Sequence, residues 1–183
     1  MPGWKTLSSE EVYETPWIRV RRDEVLTHNN KKLTYSVISL RHPSVFIVAT
    51  NDKDEFYLQQ NYRYCLDKTL WNMPAGHSDG EDLLAAAKRE LSEETGLISD
   101  DWTELGKLQQ ADGIGDIPLY VFWARNVLPD PEAKIDELED IANGQFISLK
   151  KIKNMIRSGE LCESAHIAAV YLTMLHLEKR KEL

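Results

Sequence analysis

Three glutamates, Glu90, Glu93 and Glu94, crowd into the run Arg89-Glu90-Leu91-Ser92-Glu93-Glu94-Thr95-Gly96-Leu97. On a helix each residue advances about 100°, so with Glu90 at zero Glu94 lies near ~40° and Glu93 near ~300°. One helix face would then carry all three carboxylates. Like charges that close repel and raise one another's pKa, so something cationic should compensate. Arg89 stands four residues before Glu93, at ion-pair spacing. Two carboxylates remain, which suits a hard divalent cation: magnesium takes oxygen ligands and keeps waters alongside substrate phosphates. An isolated Glu-Glu pair on a helix is more often a solvated face. Here the loop Gly76-His77-Ser78-Asp79-Gly80-Glu81, the Arg-Glu pair and the Glu-Glu-Thr-Gly ending occur together, a combination more specific than any one part.

The elements that must hold this cluster can be read from periodicity. Leu84, Ala87 and Leu91 recur at helical spacing and predict a helix over 81–95 with Gly96 as its C-cap. Pro74-Ala75-Gly76 opens the loop before it. Upstream, residues 18–21 alternate apolar and basic, 28–32 form a polar turn, and a second run covers 33–40, together an antiparallel hairpin. Residues 45–50 and 55–60 read as another strand pair joined by the turn 51–54. Strand-like runs follow at 102–110 and 118–124, then an acidic, Pro-containing loop over 129–140. A strand at 145–148, a helix at 149–158 and a last helix at 163–181 complete the chain. The basic end Lys179-Arg180-Lys181 suits the negative pole of that helix. Strands mixed with a few helices indicate an α+β class, a sheet with helices packed on it.

Composition sets outer limits. The chain has 183 residues, one domain's worth, with 30 Asp+Glu against 22 Lys+Arg and a formal charge of −8. Its longest apolar run, 167–172, is far short of the ~20 residues a bilayer span needs, so no membrane partner is expected. The first five residues lack the apolar core of a signal peptide. Two cysteines, Cys65 and Cys162, are too few for a disulfide framework or a thiolate zinc site, and a cytoplasmic protein is the simplest reading. The acidic balance repels nucleic-acid phosphate, so no nucleic-acid partner is expected.

The helix segment resembles the box of the Nudix hydrolases: Glu81, seven residues, then Arg89-Glu90-Leu91-Ser92-Glu93-Glu94-Thr95-Gly96-Leu97. Gly76 and Glu81 are separated by four residues where the family has five, a one-residue shortening of the loop. The runs Val12-Tyr13-Glu14-Thr15-Pro16-Trp17, Arg19-Val20-Arg21-Arg22, Asn61-Tyr62-Arg63-Tyr64 and Leu70-Trp71-Asn72-Met73-Pro74-Ala75-Gly76 look like the ADP-ribose pyrophosphatase branch. Asn72 departs from a frequent Glu of that branch, and Asp112-Gly113 from a frequent Pro-Gly. The resemblance implies a Nudix fold, a mixed β-sheet sandwiched between helices. It divides the chain into an N-terminal antiparallel β extension over 1–42, a dimerisation element, and a hydrolase domain over 43–183. A homodimer is expected by resemblance alone.

The same resemblance implies the site. Glu90, Glu93 and Glu94, the backbone carbonyl of Ala75 and Glu139 would hold Mg2+, with Mn2+ as a substitute. In the acidic loop Asp136-Glu137-Leu138-Glu139-Asp140, Glu137 would be the catalytic base, with Arg89 and Glu93 completing the catalytic group; by composition alone that loop reads as solvated. Arg63 is read either as a phosphate or base contact or as a surface strand arginine. Tyr62 and Trp71 either stack on a base or pack in the core. His77 is read as a loop histidine and not a ligand, and Cys65 as a small apolar residue. The implied reaction is Mg-dependent hydrolysis of a nucleoside diphosphate linked to another group, ADP-ribose or a nucleotide sugar. It gives a nucleoside monophosphate and a phosphorylated product. The alternatives are a non-catalytic nucleotide-sensing Nudix domain and an RNA-processing Nudix enzyme.

Overall fold

The computed structural model describes residues 3–134 and 141–181, with side chains as far as 179; Glu137, Glu139 and the rest of the acidic run 136–140 lie outside them. In chain order the elements are β1 (Lys5–Glu14), β2 (Ile18–Leu26), β3 (Lys32–Leu40), β4 (Ser44–Ala49), β5 (Phe56–Arg63), β6 (Lys68–Asn72), β7 (Ala75–His77), α1 (Leu83–Thr95), β8 (Leu97–Ile98), β9 (Asp101–Gln110), β10 (Gly115–Arg125), β11 (Leu128–Pro129), β12 (Ile141–Ile147), α2 (Leu149–Ser158) and α3 (Ser164–Lys181). The class is α+β, as expected. No helix among the described residues is long and apolar enough to cross a membrane.

Two compact units emerge. One holds the chain up to Pro43 together with Gln109–Leu119. In it β1, β2 and β3 form an antiparallel meander, and the start of β10 runs parallel to β3 at Gly115↔Ile38, which makes the sheet mixed. The 18–40 hairpin of the sequence reading is present; β1 was not read as a strand from its pattern, because all ten of its residues are exposed and no alternation marks a buried face. Its backbone ladder to β2 holds it, with polar and charged pairs along the way. Glu10 meets Arg22 at 2.5 Å, Arg19 lies 3.5 Å from Glu14, and Ser9 donates to Asp23 at 2.6 Å while Arg21 pairs with the same carboxylate at 2.9 Å. The Ser9 hydrogen bond, then the Arg21 hydrogen bond, lowers the Asp23 pKa. All three arginines of β2 therefore face acids.

The other unit comprises Ser44–Leu108 and the chain from Tyr120 onward. Its centre is β4, Ser-Val-Phe-Ile-Val-Ala, an apolar run typical of a strand covered on both faces. It lies between β10 and β7. Val45, Ile47 and Ala49 meet Ala86, Ala87 and Leu91 of α1 and Phe122, Ala124 and Val127 in one cluster. The two alanines bring the helix close to the strand, and fully burying Leu91 contributes about 2 kcal/mol. β4 and β5 do not form the predicted pair: they share one bridge, Thr50↔Phe56, and part. The end of β4 is already bonded, Thr50 to Ala124 and Val127, so β5 pairs with β6 and β12 instead.

Helix α1 begins two residues later than predicted, at Leu83, because Asp82 is its N-cap: the carboxylate accepts from Leu84 N at 3.0 Å and Ala85 N at 3.1 Å. Gly96 ends it in the left-handed conformation (φ 66°), with its N–H on Ser92 O. The buried face carries Ala86, Ala87 and Leu91 together with Glu90 and Glu94, while Leu84 is half-buried. Apolar stripe and carboxylates therefore share a boundary.

From α3, His166 reaches the turn between β6 and β7. It is 2% exposed; its Nδ1 accepts from Met73 N at 3.3 Å, which puts the proton of the neutral ring on Nε2, 3.2 Å from Asn72 Oδ1. Burial pushes its pKa down to about 4, partly offset by Glu163 and reinforced by Arg63.

Two predictions follow from these anchors. Asp82→Ala should cost ~1 kcal/mol, lowering the melting temperature by roughly 2–4 °C; an unchanged melting curve would show that the Asp82 cap does not stabilise α1. Because His166 stays neutral when folded, the unfolded chain binds an extra proton between about pH 6.5 and about pH 4. Stability is therefore expected to fall with pH across that window, by up to ~3 kcal/mol. Urea unfolding of wild type and His166→Gln across the window checks this: the variant should show the shallower pH dependence, and parallel curves would contradict it.

Candidate active site

The three box carboxylates are held in two different ways. Arg89 clamps the first two: its Nη1 donates to Glu90 Oε1 and Glu93 Oε2, both at 2.9 Å. Its Nη2 donates to the His77 carbonyl at 3.0 Å and its Nε to Glu81 at 3.3 Å. The predicted Arg89–Glu93 pair is present, and the arginine also staples the Gly-rich loop to the helix. Burial by itself would lower the Arg89 pKa; the hydrogen bonds and charges of Glu93, Glu90 and Glu81 outweigh it and raise the pKa above its ordinary value.

Glu94 is held by a side-chain amide and a backbone amide. Gln59 Nε2, from β5, donates to Glu94 Oε2 at 2.6 Å. The Ala75 N–H lies 3.3 Å and 3.4 Å from the two carboxylate oxygens. Glu90 and Glu94 are 9% and 6% exposed, so both carboxylates are sunk beside the core.

The Pro74-Ala75-Gly76 turn is shaped to receive them. Pro74 O accepts from Ile47 N at 2.9 Å, tying the turn to β4, and β7 pairs with β4 through Phe46↔Ala75 and Val45↔Gly76. A Cβ on Gly76 would sit 2.1 Å from the Glu90 carboxylate, so any other residue there would push that carboxylate from its place. The turn and α1 thus close on each other through carboxylates. Among the described residues no group of three or more carboxylate, imidazole or thiolate side chains gathers as a metal cluster. Hard oxygen donors sunk beside a glycine cradle are nonetheless the chemistry that magnesium-type cations select.

The β5–β6 hairpin supplies the other side chains. Pleating puts Tyr57, Gln59, Asn61 and Arg63 on one face of β5, and the register Gln59↔Asn72 places Asn72 on that face too. This is the face that meets Glu94. Arg63 is exposed and donates through Nε to Asn72 Oδ1 at 3.0 Å, with Nη2 on the same oxygen. Tyr62 and Trp71 lie on the opposite face, with Gln60↔Trp71 and Tyr62↔Thr69 as partners. Tyr62 is exposed and donates to Asp67 at 2.9 Å. The structure therefore gathers Ala75, Arg89, Glu90, Glu93 and Glu94, places Arg63 on the β5 face that carries Gln59, and puts Tyr62 and Trp71 on the opposite face. Glu137 and Glu139 lie outside the described residues.

Three neighbours were not found from the sequence. Gln59 is fully buried, and its Oε1 has no hydrogen-bond partner, nor have Asn61 Oδ1 and Asn72 Nδ2. An orphaned buried polar atom costs ~1–3 kcal/mol. The signal was available: Gln59-Gln60-Asn61 inside a strand is an unusual composition. Tyr57 is half-buried, and burial and then the Glu94 charge raise its pKa. Its hydroxyl lies over Gly144 of β12, where a Cβ would come within 1.9 Å. His166, from the far end of the chain, had no local signal.

The comparisons with known proteins agree with this geometry. Residues 40–163 match the family profile described as the NUDIX domain, and residues 4–38 match one described as the nucleoside diphosphate sugar hydrolase N-terminal domain. The chain is 32% identical over 171 residues to an ADP-ribose pyrophosphatase of Mycobacterium tuberculosis, covering 91% of this chain and 81% of that one. It is 24% identical over 180 residues to a methanol dehydrogenase activator of Bacillus methanolicus, covering 97% and 96%. A solved structure described as an ADP compounds hydrolase superposes with a TM-score of 0.87 over 100% of this chain and 98% of that one, at 22% identity, and shows the same fold. With the box, the turn and the fold in agreement, the chain belongs to the Nudix family and is a pyrophosphohydrolase of that fold.

Proposed function

We propose that the chain hydrolyses a nucleoside diphosphate linked to a second moiety, ADP-ribose or a nucleotide sugar, to a nucleoside monophosphate and a phosphorylated product. The carrying observation is the pair of sunken carboxylates, Glu90 against Gly76 and Glu94 against the Ala75 amide. The substrate class is supported by the relatives described as an ADP-ribose pyrophosphatase and an ADP compounds hydrolase, and by the N-terminal profile.

In this reading Glu90, Glu93, Glu94, the Ala75 carbonyl and Glu139 hold a divalent cation, Mg2+ or in its place Mn2+. When bound, that cation neutralises the anhydride's charge and makes water acidic enough to be a nucleophile. The chain's own residues do the rest. Arg89 keeps Glu90 and Glu93 aimed through the two hydrogen bonds of its Nη1. Arg63, exposed at the hairpin end, presents planar donors suited to a phosphate. Glu137 takes the proton from the attacking water. Tyr62 and Trp71 remain base-stacking candidates only for a ligand that wraps onto the second face of the hairpin. The RNA-processing alternative loses support, because the basic strand Arg19, Arg21, Arg22 is matched by Glu14, Asp23 and Glu10.

The chain also carries Trp4, Leu7, Val12, Tyr13 and Trp17 as exposed apolar groups on or beside β1. We assign them to a homodimer contact through the N-terminal extension, residues 1–42, with the hydrolase domain over 43–183.

Glu94→Gln is expected to bring hydrolysis of ADP-ribose down by at least ~10²-fold while the melting temperature stays near wild type; full activity in that variant rejects the mechanism. Calorimetry that finds ADP-ribose binding with Mg2+ but no product would favour the sensing reading instead. For the dimer, light scattering should show two chains in wild type and one in a Leu7→Glu/Val12→Lys variant. A dimer that persists places the contact elsewhere.

A further inference from the structure

Behind Glu94, two amide side chains stand directly opposed in the register of the β5–β6 hairpin, Gln59 and Asn72. They are 0% and 2% exposed. Each commits one half of its amide to an ionic group: Gln59 Nε2 to the Glu94 carboxylate at 2.6 Å, Asn72 Oδ1 to the Arg63 guanidinium at 3.0 Å. A carboxylate only accepts and a guanidinium only donates, so these contacts fix which way both amides face. What remains is an acceptor, Gln59 Oε1, and a donor, Asn72 Nδ2, and neither has a partner.

Leu or Val at these positions would fill the sheet interior without the two unpartnered amide atoms, but would take the Gln59 donor from Glu94 and the Asn72 acceptor from His166 Nε2. Two amides retained there, each half used on a charged group of the site, mark an arrangement kept for something other than packing. Directly opposed side chains on one face have Cβ atoms about 5 Å apart, close enough for a small χ rotation or one buried water to join acceptor to donor. Asn61 Oδ1, the other unpartnered acceptor on this face, belongs to the next position toward the hairpin end and is opposed to Leu70.

We propose that Gln59 and Asn72 form a neutral amide bridge from Arg63 to Glu94, and that both are positioning residues for that carboxylate; this rests on the reading of Glu94 as a cation ligand. Neutrality is the useful property. A lysine at position 59 would compete with the cation for Glu94, and a glutamate would add another negative charge to a crowded face. An amide orients the carboxylate and leaves its charge intact. The bridge also ties the exposed arginine to the cation side, so that a phosphate drawing on Arg63 is felt at Glu94.

Titration calorimetry with Mn2+ on the full chain tests this in wild type, Gln59→Met, Asn72→Leu and the double variant. Each single change should weaken Mn2+ binding by roughly 10-fold, and the double should be no weaker than Gln59→Met alone, because Asn72 acts through Gln59. Unchanged affinity in Asn72→Leu, or effects that multiply, would overturn the bridge. A wild-type chain that binds no Mn2+ would overturn the cation reading itself, so the two failures are distinguishable. Should a variant not fold, a high-resolution crystal structure of wild type decides. A direct bond or one shared water between Gln59 Oε1 and Asn72 Nδ2 is expected; Asn72 Nδ2 bonded to Asn61 instead would overturn the proposal.

Discussion

The structure depends on one constraint: acidic side chains must be sunk at the edge of an apolar core without repelling each other out of it. Burying an ionised carboxylate is costly unless it is paired and hydrogen-bonded. Here Arg89 serves Glu90 and Glu93, while Gln59 and the Ala75 amide serve Glu94. The rest follows from where those donors must be. Gly76 lacks a side chain because Glu90 occupies that space. The turn is bonded to β4 because its amide has to face the helix. β5 carries a glutamine at a fully buried strand position because Glu94 points at it.

This arrangement explains why the helix is both amphipathic and acidic. Ala86, Ala87 and Leu91 drive α1 onto β4, and Glu90 and Glu94 ride in on the same face. Their burial is driven by their neighbours and made tolerable by their partners. A helix with the same carboxylates but no alanine contact would leave them in solvent, where they would be an ordinary charged surface. The chemistry of the site is thus set by core packing as much as by the acids.

Legibility in the sequence followed the same division. The carboxylate face, the Arg89–Glu93 pair, the Gly96 cap and the helix at 149–158 were readable because helical spacing is local and the capping residues declare themselves. The supports of the site were not. Gln59, Asn72 and His166 act across 35 to 94 positions of sequence separation, which no local period encodes. β1 was missed as a pattern because it has no buried face, and the β4–β5 pairing was misjudged because a turn signal reports proximity of two ends and not which strand wins the open edges. Trp71 and Tyr62 show a further limit: adjacency in sequence to Asn72 and Arg63 put them on the other side of the pleat.

The proposed role of this carboxylate-lined turn is to cleave a phosphoric anhydride in a nucleotide-linked substrate. The most direct measurement is product analysis by chromatography after incubating the wild-type chain with ADP-ribose and Mg2+. AMP and ribose phosphate are expected in equal amounts, with none formed when the cation is chelated. Intact ADP-ribose in the presence of Mg2+, alongside intact nucleotide sugars under the same conditions, would contradict it.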